Sequence, residues 1–320
     1  MTFVEYRCNS EVETHYAHLK ELSAASQDGM TTRYIISLRR WAAMEDYEMV
    51  QRLMDDHPEA IPTLVGIDFS NVEEGDPPKR LRPLFERIGH DNARRPERAL
   101  DIVCHVGESY FDKSLESAVR WCHEAAEIGV RRLGHAIALG LDPTVAAARR
   151  PDAHVTEPVG ERLDQIAYDL AHSRQMSAYG VDIDFKALTD EREALEKLNP
   201  DETVQRPYNE KRLEEVRRRQ RFVLSCLAEM GTVIECCPTS NLRIGGVPDP
   251  VHHPVHRFLN SDVNLAICAD DPGIFATRLA DEVDWVCTHS KWEAEDLAKR
   301  LGDPRRFQLG RRRVSKGPTT

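Results

Sequence analysis

Short apolar runs recur along this chain at intervals of roughly 30 residues, the length of one strand–helix unit, and each run stops on polar residues. Phe3-Val4-Glu5-Tyr6-Arg7 alternates apolar with polar, and Arg33-Tyr34-Ile35-Ile36-Ser37-Leu38-Arg39 and Leu64-Val65-Gly66-Ile67-Asp68-Phe69 follow it. Four later runs end in Cys104-His105, Gly134-His135, Glu235-Cys236-Cys237 and Ala269-Asp270-Asp271. Runs of this kind, bounded by turn residues, read as buried strands. The pattern predicts strands over 3–7, 33–38, 64–68, 101–105, 131–134, 232–236 and 264–269. Between them, apolar residues at helical spacing predict helices over 12–25, 46–56, 81–88 and 115–128.

Strands alternating with helices predict βαβ units, a parallel sheet and an α/β fold. The rhythm breaks after His135, which lies 100 residues before Glu235. That gap holds helical patterns over 161–173 and 186–198. A long charged helix over 209–230 follows, with Leu213, Val216, Gln220, Val223, Leu224 and Leu227 on one stripe. Residues 145–208 are therefore expected to be a helical insertion, following the fifth-to-sixth strand region, within a single domain over 1–320. Such an insertion is either a surface elaboration or a substrate lid or oligomer contact. A last helix from about Ala280 would carry Trp285 and Trp292 on one packed stripe.

Composition narrows the classes. With 41% hydrophobic residues the chain can bury a sizeable core, and a net charge of −11 excludes a general nucleic-acid surface. Arg311-Arg312-Arg313 reads as a solvated tail. No apolar run reaches a membrane span, and Met1-Thr2-Phe3-Val4-Glu5 lacks a signal-peptide layout. Eight cysteines without a CxxC pair read as free thiols of a reducing, cytoplasmic compartment. Adjacent Cys236 and Cys237 point to opposite faces of a strand and read as core.

The chemistry gathers at three strand ends: His105-Val106-Gly107-Glu108, Gly134-His135-Ala136 and Asp270-Asp271-Pro272. Histidines and carboxylates at the carboxyl ends of parallel strands suit metal-assisted hydrolysis, because open α/β sheets and barrels place their sites there. For the two aspartates alone, capping a helix that starts at Pro272 is the simpler reading; the whole constellation favours chemistry.

Together with Glu235-Cys236-Cys237-Pro238-Thr239-Ser240-Asn241-Leu242, these motifs resemble the adenosine/AMP deaminase family of metal-dependent amidohydrolases, in the family's order. The long excursion after Gly134-His135-Ala136 is similar to that of large bacterial deaminase-like proteins, such as those of anti-phage defence. The resemblance implies a TIM-type (β/α)8 barrel. Seven strands are one short, and because the first begins at Phe3, the missing strand one is expected before Met1.

It also implies Zn2+ held by His105 and Asp270, with Glu108 protonating the ring nitrogen of a 6-aminopurine nucleoside or nucleotide. His135 would orient or deprotonate the attacking water, and Asp271 would bond it or the purine. Asp68, Asn71 and Gly107 would line the substrate, with Asn71 standing where the family usually has glycine.

One departure is large. The family's first strand supplies two zinc ligands as His-x-His, and none of the thirteen histidines here stands two residues from another. His15 and His18 read as surface residues, and His252, His253 and His256 as solvated or structural. The alternative to a deaminase is then a catalytically impaired pseudo-deaminase that binds a nucleotide or serves in assembly. Either form is expected to be a homo-oligomer or to associate with the missing segment. Arg39 and Arg40 read as solvated, with a substrate phosphate as their alternative partner.

Overall fold

The computed structural model describes residues 3–7, 11–24, 32–150 and 153–310, so the arginine run at 311–313 lies outside the described residues. The chain packs as two compact units: Met1–His105, Glu127–Arg132 and Asp303–Thr320 in one, and Val106–Ala126 and Leu133–Gly302 in the other.

The first unit is built on four strands, β1 (Phe3–Arg7), β2 (Arg33–Ser37), β3 (Leu64–Asp68) and β4 (Asp101–Val106), paired in parallel in that order. Every residue of β3 is buried, which is why the strand reads as a continuous apolar run rather than an alternating one. Helices α1 (Val12–Ala24), α2 (Ala43–Asp56) and α3 (Arg82–Arg94) connect them. Met49, Val50, Leu53 and Met54 of α2 and Leu84, Phe85 and Ile88 of α3 are buried, each set on one face. His15 of α1, expected at the surface, is 1% exposed; the polar neighbours that suggested a solvated face surround an inward histidine.

The chain returns to this unit at its far end. Leu309 completes a core cluster with Ile35, Val65 and Val103, one residue from each of β2, β3 and β4. Gly310 donates its N–H to Asp101 Oδ2 at 2.7 Å. Its φ of +77° and the 2.8 Å separation that a Cβ would have from Val65 Cγ1 both require glycine.

The second unit runs through α4 (Leu115–Glu127), β5 (Arg132–His135), α5 (Ile137–Gly140), α6 (Pro143–Ala148), β6 (His154–Pro158), α7 (Val159–Ser177), α8 (Phe185–Leu195), β7 (Thr203–Pro207) and α9 (Glu210–Met230). It continues through β8 (Val233–Cys236), α10 (Pro238–Arg243), α11 (Val255–Leu259), β9 (Asn264–Ile267), α12 (Pro272–Phe275), α13 (Leu279–His289) and α14 (Ala294–Leu301). Strands β5, β8 and β9 are neighbours, with β8 and β9 parallel. All seven expected strands are present, and parallel strands alternating with helices make the fold α/β.

The segment expected to be purely helical holds two helices and an antiparallel ribbon, β6 with β7. Val159, Ile166 and Leu195 form its core, with Leu163, Leu170, Leu188 and Val204 packed against them. Buried ion pairs tie neighbouring helices together. Arg219 forks onto Asp169, with Nη2 3.0 Å from Oδ2, and Arg212 forks onto Glu116. Burial alone would raise the Glu116 carboxyl, but Arg212 and Arg206 hold it far below the usual carboxylate range. The final helical run is two helices rather than one: α13 ends at His289, and Trp292, whose N–H bonds the Ser290 hydroxyl, sits in the connection instead of on the Trp285 stripe.

Candidate active site

In the first unit, the carboxyl ends of β2, β3 and β4 are locked by polar contacts. Arg40 is 7% exposed and donates to the main-chain oxygens of Phe69 (2.7 Å), His105 (2.6 Å) and Asn71 (3.2 Å). It is neither solvated nor aimed at a phosphate: its donors are consumed by carbonyls that the strand ends leave unpaired. Arg39 pairs with Asp46 at 2.6 Å. Asp68 and His105 come together here, with His105 Nδ1 2.9 Å from Asp68 Oδ2. Burial would raise the Asp68 carboxyl, but His105, the Phe69 N–H (2.6 Å) and Arg40 outweigh it and hold the group ionised, below its ordinary value. Nδ1 of His105 faces that carboxylate, the kind of partner that orients metal-binding histidines. Asn71 contributes its main-chain oxygen to Arg40, and its Oδ1 is buried without a hydrogen-bond partner. Burial pushes the thiol of Cys104, beside His105, up to about 12, which removes it as a nucleophile.

The second unit holds Glu108, His135 and Asp270. Beyond β4 the chain turns at Gly107, at φ +69°, where a Cβ would lie 2.5 Å from Cys122 Sγ. The Gly107 oxygen accepts from Ala138 N at 2.8 Å. The turn presents Glu108, whose Oε2 lies 3.6 Å from His135 Nε2 and whose Oε1 is buried without a hydrogen-bond partner. His135 ends β5 in the left-handed region (φ 62°), as does Asp270 after β9 (φ 56°). Such residues cost about 1–3 kcal/mol each and persist where surrounding structure over-determines them. His135 Nε2 is also 3.8 Å from Asp270 Oδ2.

Asn241 on α10, fully buried, accepts from His135 Nδ1 at 2.8 Å, and its Nδ2 contacts Cys236 Sγ at 3.9 Å. That orientation of the amide fixes the proton on Nδ1 and leaves the Nε2 lone pair facing Glu108 and Asp270. Cys237 joins them: one donor atom each from His135, Cys237 and Asp270 lie within 4.8 Å of one another. The hydrogen bond with Cys268 and burial both push the Cys237 thiol well above its ordinary value. Asp271 is exposed at the head of α12 and makes no side-chain cap, so the simple capping account fails for it.

Behind this cluster Glu282, fully buried, accepts from Thr239 N (2.9 Å) and Thr277 Oγ1 (2.6 Å). The grouping of Asn241 and Cys237 about His135 was not singled out from sequence, although both lie in the quoted motif at helical spacing. Glu282 carried no signal, because its partners come from two separate turns.

Residues 216–302 match the adenosine deaminase family. The matched stretch carries Cys237, Asn241, Asp270 and Asp271. A stretch of 58 residues is 45% identical to adenine deaminase from Rhizobium leguminosarum bv. trifolii, and 77 residues are 27% identical to adenosine deaminase from Plasmodium vivax. These stretches cover 18% and 24% of this chain. They span only 18% and 21% of those deaminases, about a fifth of each relative. The fold is similar to that of adenine deaminase from Arthrobacter aurescens (TM-score 0.52, 15% identity), over 95% of this chain and 69% of that one. It is also similar to an amidohydrolase from Burkholderia ambifaria with bound zinc (TM-score 0.51, 13% identity), over 93% and 60%. At these identities the likeness is one of fold, and the fold of this chain is α/β.

Proposed function

We propose that this chain serves a hydrolytic purine deaminase acting on a 6-aminopurine nucleoside or nucleotide with zinc. The observation that carries the reading is His135, whose Nε2 is aimed by Asn241 at both Glu108 and Asp270. The residues fit a zinc ion. In the first unit His105 faces Asp68, the kind of partner that orients metal-binding histidines, and in the second Asp270 offers a carboxylate beside His135 and Cys237. Zinc held there supplies a water activated at neutral pH.

The chain's own residues do the rest. Glu108, next to a buried imidazole, gives its proton to the purine ring nitrogen as the amino-bearing carbon is attacked. His135 orients the water and steadies the charge that develops opposite Glu108. Asp271, exposed at the head of α12, is free to bond the purine or the water, and Asn71 and Gly107 bound the substrate. In this reading 1–320 is a single deaminase-like domain with 145–208 inserted in it. The enzyme is read as cytoplasmic from its eight cysteines without a CxxC pair; among the described residues no helix is long and apolar enough to cross a membrane.

One sequence observation favours the second reading, a pseudo-deaminase that binds a nucleotide or serves in assembly: the absence of His-x-His. Oligomerisation, or association with a segment carrying that pair, reconciles the two. The test is ammonia release from adenine, adenosine and AMP with zinc present, with and without an added amino-terminal His-x-His strand. Turnover that Glu108→Gln abolishes is expected; a chain with the added strand and bound zinc that stays inert on all three overturns the deaminase reading.

A further inference from the structure

We infer that Cys237 is a metal ligand, its thiolate joining His135 Nε2 and the Asp270 carboxylate in a three-donor site for a zinc-class cation. The inference rests on the zinc reading above but not on turnover, and it changes two roles: His105 leaves the ligand set, and His135 holds the cation in place of orienting the water.

Three observations converge. The donor atoms of His135, Cys237 and Asp270 already lie within 4.8 Å of one another. Zinc–sulfur and zinc–nitrogen distances in tetrahedral sites put neighbouring donors about 3.5 Å apart, so closure requires rotamer-scale movement of roughly 1 Å. The ring of His135 is fixed with Nε2 toward Asp270, because Asn241 occupies Nδ1 at 2.8 Å. Cys237 is 5% exposed and immobilised: it follows β8 directly, Pro238 opens α10 after it, and its carbonyl accepts from Asn241 N at 2.9 Å.

Three protein donors are what a catalytic zinc site takes, leaving one position open. A thiolate and a carboxylate neutralise the dication, and the donor types suit zinc or cobalt rather than magnesium or calcium. On binding, the sulfur–hydrogen bond breaks, the sulfur–metal bond forms, and the proton passes to solvent.

Cobalt(II) titration of the full reduced chain is the test, because thiolate ligation adds a near-ultraviolet charge-transfer band to the visible d–d bands. The expected result is both bands in the wild type and in Cys268→Ser. Cys237→Ser and Cys237→Ala should lose the charge-transfer band, with affinity down by at least about tenfold, the lower bound for disturbing even an outer-shell partner. His135→Ala should weaken binding likewise. Zinc-edge absorption of the unaltered chain gives a variant-free check, with one sulfur scatterer expected at about 2.3 Å. Cobalt binding without the charge-transfer band, or loss of the band in Cys268→Ser instead, overturns the assignment of Cys237 and leaves the zinc reading standing. No binding of cobalt or zinc overturns both.

Discussion

Lowering the pH from 7 to 5 should remove about 2 kcal/mol of stability through one residue, His253. This imidazole is 2% exposed, lies against the Trp285 ring at 5.0 Å between centroids, and accepts the Val255 N–H on Nδ1 at 3.1 Å. Burial, reinforced by neighbouring His256 and opposed by the Pro238 carbonyl, lowers its pKa from 6.5 to about 3. The folded-state value is depressed, so the unfolded chain binds the proton first. The stability is fully present above pH 6.5, declines as the pH falls, and is lost once the pH passes below 3. The full span is worth about 5 kcal/mol at 1.36 kcal/mol per pKa unit, of which about 2 kcal/mol falls between pH 7 and 5.

The assay is urea unfolding at pH 7, 6 and 5 for the wild type and His253→Leu. The variant loses a pH-independent amount, about 1–3 kcal/mol, because Val255 N–H is left without its acceptor. The two stability curves should therefore converge by about 2 kcal/mol as the pH drops to 5. Curves that stay parallel would refute the placement of a neutral buried imidazole at this position.

Gly107→Ala should cost more than about 2 kcal/mol in thermal unfolding, combining a positive φ with a Cβ lying 2.5 Å from Cys122 Sγ. Gly231→Ala, at φ +72° with nothing within 4 Å, should cost only about 1 kcal/mol, and equal losses would sink the steric argument. Asn241→Leu removes the acceptor that fixes His135 and should weaken zinc binding by about 10–100-fold in a chelator competition; unchanged affinity would mean that Asn241 does not set the ring.

The strands were legible because β3 and its neighbours bury both faces, so aliphatic residues accumulate without interruption. The β6–β7 ribbon was not, because its inward positions include Glu157, fully buried against Arg206 and the Ser114 N–H. An inward carboxylate erases the apolar alternation that marks a strand. The same cause hid Arg40 and His15 and left His253 open: whether a polar side chain faces in or out is decided by partners or packing that the local pattern does not contain. The site motifs could be read because each sits where a strand stops. The carboxamide behind His135 and the thiol beside it could not, since they lie more than a hundred residues from it along the chain.

The contact that Leu309 and Gly310 make with the first unit also sets an order of events during synthesis. Leu309 fills the cluster of Ile35, Val65 and Val103, and Gly310 reaches Asp101 across 209 residues. A ribosome adding 5–20 residues per second completes β4 roughly 10–40 s before residue 309 exists. Throughout that interval the cluster of Ile35, Val65 and Val103 lacks the residue that completes it, so slow codons between β4 and Leu309 should lengthen its exposure.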